Sequence, residues 1–112
     1  MLVFYYTAGS GRRPVEEFIR ALPARLQAAT LRAVERIAEQ GIAAPGLSLR
    51  QVRGKLWEIR IQDGGAVRIF YVTRGAEGEG RLILLHAYRK KTQKAPLREI
   101  EVAERRMKEV LG

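Results

Sequence analysis

A ladder of cations and one acid lies on alternate positions of strand-like runs between residues 54 and 96. Glu58 and Arg60 are two residues apart in the run Leu56-Trp57-Glu58-Ile59-Arg60, and Arg68 falls in the run that follows. Alternate residues of a strand point to one face. Glu58 and Arg60 therefore share a face, with Arg68 beside them on the neighbouring strand. Trp57, Ile59 and Ile61 then take the opposite, core-facing side. A planar guanidinium matches the geometry of a phosphate, and a carboxylate can take a proton as general base. Together these groups suit cleavage of RNA without a metal. The 2′-OH attacks the adjacent phosphate once its proton is removed. Charge then builds on the phosphoryl oxygens and the leaving 5′-oxygen, where fixed cations lower the barrier. The same residue types also make ordinary cross-strand salt bridges. The pattern alone leaves Glu58 either a base or an ion-pair partner.

Arg89, Lys90, Lys91 and Lys94 form the densest basic cluster in the chain, and Lys55 begins the ladder. Such a cluster binds phosphates, and Lys90 is placed to stabilise a leaving group. Tyr88 reads either as a stacking platform for a base or as a cap on the core. His86, the single histidine, lies in an apolar strand and reads as a hydrogen-bonded core residue. Phe70 and Tyr71 read as core.

Strands and helices must position these groups. Leu2 to Tyr6 is a short apolar strand ended by Ala8-Gly9-Ser10-Gly11. Pro14 suits the first turn of a helix, and Val15, Phe18, Ile19 and Leu22 follow at helical spacing. Pro23 breaks that helix and starts a second, with Leu26, Thr30, Ala33, Val34 and Ile37 inward and Gly41 at the C-cap. Residues 43–49 read as loop. Strands are expected at about 55–62, 66–73 and 81–89, the first two joined by the turn Asp63-Gly64-Gly65. The continuously apolar Leu82 to Leu85 implies burial on both faces. Gly75 to Gly80 is a polar connection. Pro96 opens a last helix, with Leu97, Ile100, Ala103, Met107 and Leu111 inward. The order β-α-α-β-β-β-α makes one α+β domain over residues 1–112, with helices on one side of a small, mostly antiparallel sheet.

Composition narrows the function. The net charge is +9, and residues 50–112 carry +7 of it. The sheet-forming half therefore holds the excess, which favours nucleic acid or an acidic partner. Cysteine is absent and histidine occurs once, so no disulfide, metal centre or small-molecule cofactor is expected. No stretch approaches the ~20 apolar residues of a membrane span and no signal region precedes the domain, which makes a cytoplasmic protein the expectation.

Several of these segments resemble a known family. They are Lys55-Leu56-Trp57-Glu58-Ile59-Arg60 with Gly54 before it, Arg68-Ile69-Phe70-Tyr71, Leu84 to Pro96 (LLHAYRKKTQKAP), and the Ala103 to Arg106 helix. The chain resembles the phage-derived HigB-like branch of the RelE/ParE toxin superfamily over nearly its whole length. That resemblance implies a RelE-like fold and the toxin half of a type II toxin–antitoxin pair. It also implies a partner antitoxin of helix-turn-helix type, and action on mRNA in the ribosome as an endoribonuclease that inhibits translation. It sets Arg60 and Arg68 where RelE-like enzymes carry basic catalytic residues, and Lys90 near a further catalytic position. With Glu58 these make the expected catalytic set. Lys55, Tyr88, Arg89, Lys91 and Lys94 are the expected RNA contacts. The chain departs from RelE proper at Glu58, where that enzyme carries a basic residue, and after Pro96, where its catalytic tyrosine has no counterpart. Two other readings share the fold: a ParE-like toxin that poisons DNA gyrase without cutting RNA, and a non-catalytic phage-derived binding protein.

Overall fold

The computed structural model describes residues 1–75, 80–92 and 96–112. Most of the connection Gly75 to Gly80 lies outside the described residues, and so does Lys94. The elements are β1 (Leu2–Tyr5), α1 (Pro14–Arg20), α2 (Ala24–Gln40), β2 (Leu49–Arg53), β3 (Leu56–Gln62), β4 (Ala66–Arg74), β5 (Arg81–Arg89) and α3 (Leu97–Leu111). The five strands form one sheet in the order β1-β5-β4-β3-β2. Only β1 runs parallel to its neighbour β5; the other pairings are antiparallel. The α+β reading and the sequence-predicted helices and strands hold. β2 was missed: its span falls mostly after a stretch read as loop. α1 starts on Pro14 with Glu16 and Glu17 in its first turn, where acids complement the helix dipole. Gly41 caps α2 at φ 81°, its N–H bonding Ile37 O at 2.7 Å.

The helices do not share one side of the sheet, and that expectation is corrected. α1 and α2 bury Val15, Ile19, Leu26 and Ile37 against Ile59, Ile61, Val67, Ile69, Leu82 and Leu84. α3 lies on the other face and buries Ala103, flanked by Ile100 and Met107, against Leu56, Phe70, Val72 and Leu85. The cause is visible in β4, which is buried from Val67 through Val72 without alternation. A strand with apolar groups on both faces needs a cover on each. In β5 the register slips by one: Phe70 faces His86 but Tyr71 faces Leu84. Leu85 is the extra residue of a bulge, so Leu85 and His86 both project toward α3. Arg106 closes the bulge by donating to Leu85 O at 2.9 Å.

Candidate active site

Strand pairing builds the site in two rows on the α3 face. In the first, Arg50 of β2 stands opposite Glu58 of β3, Glu58 opposite Phe70 of β4, and Phe70 opposite His86 of β5. In the second, Arg60 stands opposite Arg68 and Arg68 opposite Tyr88. The Lys90 N–H donates to Ala66 O at 2.9 Å, which carries the pairing one residue further and fixes the direction of Lys90. These rows line a cleft of about 260 Å³ with Arg50, Val52, Glu58, Arg60, Arg68, Phe70, Tyr88 and Lys90, walled by Pro96 and Ile100 from the start of α3. Larger hollows lie elsewhere, one beside Met1 and Glu39 to Ala43, another beside Lys55 and Trp57, a third beside Tyr5 and Glu16. The smaller cleft is the candidate site because charge converges there: four cations surround one carboxylate.

Arg68 is the unusual member. It is 7% exposed, yet among the described residues its side chain bonds only its neighbour's carbonyl, Val67 O at 3.2 Å. Arg60 is its direct cross-strand partner, so two like charges face each other across the β3–β4 pair. Buried charge is costly unless it is paired, and like charges directly opposite destabilise a sheet. An anion in the cleft would relieve the arrangement. Glu58, 3% exposed, does not meet that need. Its ion pair is with Arg50, Nε to Oε1 at 3.1 Å.

Tyr88 stacks on Phe70 with ring centroids 5.7 Å apart, and His86 stacks on the same ring at 6.3 Å. Burial, then the charge of Glu58, raises the Tyr88 phenol above its ordinary range, which keeps it protonated as a donor. His86 is not part of the cleft lining. One ring nitrogen lies 2.8 Å from Glu99 and the other 3.3 Å from Arg106. Because a guanidinium only donates, Nδ1 must accept and Nε2 must carry the proton toward Glu99. Burial lowers the His86 pKa against the opposing pull of Glu99. His86 is hydrogen-bonded as expected, but it lies half-buried between β5 and α3 and not in the core.

The structure brings Glu58, Arg60, Arg68, Tyr88 and Lys90 together. Lys55 is not with them; it lies at the opposite end of β3 beside Trp57, Thr73, Arg74 and Leu111. Arg89 projects to the other face, where a Cβ on Gly65 would stand 3.0 Å from its guanidinium and 3.2 Å from Leu26 of α2. Lys91 is exposed just past β5. Trp57 does not join the core as Ile59 and Ile61 do. It is 38% exposed, at the end of β3 that lines the outer hollow. Sequence reasoning missed Arg50, because β2 itself was missed, and took Phe70 for core alone.

The family described as phage-derived protein Gp49-like (DUF891) matches residues 17–108, which include every cleft residue. No curated protein gives a significant match. Gp49-like proteins fall within the RelE/HigB-like toxin superfamily. No helix among the described residues is long and apolar enough to cross a membrane.

Proposed function

The chain belongs to the Gp49-like family of phage-derived proteins, and from that premise we propose that it is the toxin of a type II toxin–antitoxin pair that cuts mRNA on the ribosome. The observation that carries this reading is Arg68: a buried guanidinium without an acidic partner among the described residues, at the floor of a cleft it shares with Arg60, Lys90 and Glu58. An RNA phosphate supplies the missing anion. Arg60 and Arg68 hold its non-bridging oxygens, and Glu58 takes the proton from the 2′-OH. The 2′-oxygen attacks phosphorus, the bond to the 5′-oxygen breaks, Lys90 stabilises the charge that develops there, and water protonates the departing oxygen. The products are a 2′,3′-cyclic phosphate and a free 5′-OH. Tyr88, backed by Phe70, offers a ring for a neighbouring base, and such stacking contributes about 1–3 kcal/mol. The partner that silences the toxin is an antitoxin of helix-turn-helix type, and the place of action is the cytoplasm.

The test uses purified protein with ribosomes carrying a defined message. The wild type is expected to cut the message and Arg68→Ala to leave it whole while melting as a folded protein. In cells, induction should stop methionine incorporation before thymidine incorporation. The reverse order would favour gyrase poisoning, and an Arg68→Ala protein that cuts as well as wild type removes Arg68 from the site.

A further inference from the structure

The edge strand β2 puts Arg50 directly across from Glu58, and no ladder read from β3 to β5 contains it. The Glu58 side chain is only 4% exposed, whereas that of Arg50 is 63% exposed. Glu58 is therefore held in a narrow space from which water is largely excluded, and among the described residues Arg50 is the only cation within ion-pair reach of it. Arg60 is nearer in sequence and Arg68 stands on the adjoining strand, yet neither pairs with it. The contact is made through Nε of Arg50, which leaves the two terminal nitrogens of the fork for the cleft that Arg50 also lines.

Resting on the nuclease reading above, we propose that Arg50 is a positioning residue, which acts on the reaction by aiming Glu58. A carboxylate has two rotamer-related ways to present its oxygens, and a base works only when one oxygen reaches the 2′-OH. Nε of Arg50 engages Oε1, and among the described residues Oε2 has no hydrogen-bond partner, which leaves that oxygen to take the proton. Without Arg50, the cations that stand beside Glu58 on β3 and β4 are Arg60 and Arg68. A carboxylate drawn to them would be lost as a base. Arg50 thus keeps the base and the phosphate clamps apart.

A double-mutant cycle in single-turnover cleavage of ribosome-bound message tests this. Arg50→Ala is expected to lower kcat by roughly 10²-fold, the typical cost of a misplaced group, with KM little changed. Glu58→Gln is expected to lower kcat by about 10²–10⁴-fold, the usual contribution of a general base. Because Arg50 acts through Glu58, the Arg50→Ala, Glu58→Gln double variant should cut no more slowly than Glu58→Gln alone. Arg50→Lys keeps a cation opposite Glu58 and should recover part of the rate. If Arg50→Ala does not fold, the same cycle runs with Arg50→Lys. Two results overturn the inference while the nuclease reading stands: Arg50→Ala cutting at the wild-type rate, or the two substitutions multiplying. A rise in KM with kcat unchanged also overturns it, since that would make Arg50 an RNA contact alone. A wild-type protein that leaves the message intact overturns both.

Discussion

Arg68 carries a stability cost as well as a role. Its guanidinium is buried beside Arg60, with one backbone acceptor among the described residues. Replacing such a charge by an apolar group of similar length is often neutral or stabilising by about 1–4 kcal/mol. Arg68→Met should therefore melt at or above the wild-type temperature and lose cleavage, a trade of function for stability. Inorganic phosphate should raise the melting temperature of the wild type and leave Arg68→Met unmoved, because only a ligand of the native state shifts it. If Arg68→Met melts well below the wild type, Arg68 is structural and the cleft is not built around an absent anion. At this scale the sequence was informative where alternation holds. Glu58, Arg60 and Arg68 were legible as one face, and the structure adds Tyr88 and Lys90 to it. The same rule separates Arg89 from Lys90, since neighbours in a strand point opposite ways, and a basic run such as Arg89-Lys90-Lys91 conceals that. Nothing local to Arg50 marks it, because its meaning comes from the residue across the pair.

The elements set how deep the cleft is. Pro96 and Ile100, at the start of α3, form its wall, and a charged clasp holds that end of the helix to the β5 bulge: His86 to Glu99, Arg106 to Leu85 O and to His86. Burial depresses the His86 pKa below its ordinary value, and the charges around it are Glu99, Arg105 and Arg106. A base with a lowered folded-state pKa favours the fold while neutral. Its contribution is complete above the unfolded value of about 6.5 and is lost as pH falls through the lower folded value. Melting temperature should accordingly drop as pH is lowered from neutrality through that window, and His86→Gln should flatten this part of the profile. A wild-type profile no steeper than that of His86→Gln would show that the clasp does not titrate with the fold. Helices and inner strands were legible from period and caps, but β2 was not. Leu49 packs toward α1 and α2 while Val52 packs toward α3, so this edge strand shows a single apolar residue to each side and no alternation to recognise. The bulge at Leu85 was equally hidden, since an inserted residue within an apolar run looks like more of the same run. Two-sided burial of β4 and β5 was the available sign that α3 must cross to the far face.

For the whole molecule, the +9 charge divides between cations that line the cleft and cations that do not. Arg60 and Lys90 belong to the first group, Lys55 and Arg89 to the second. Each phosphate contact in the cleft contributes about 0.7 to the slope of log affinity against log salt for a single strand. Arg60→Ala and Lys90→Ala should each flatten that slope by nearly this amount when RNA binding is measured across a salt series, and Lys55→Ala should leave it close to wild type. Equal flattening by all three would mean that the charge acts as a diffuse cloud and the cleft has no special hold on RNA. The sheet order has a different kind of consequence. Leu2 pairs with Arg81 and Tyr5 with Leu84, so β1 finds its partner only when β5 has been made. Contacts so distant in sequence form slowly. Lys90 and the α3 wall come later in synthesis than every other part of the cleft. A nascent chain therefore carries no finished cleft while most of it is still being translated, and under the nuclease reading proposed above it would not act in the round of translation that produces it.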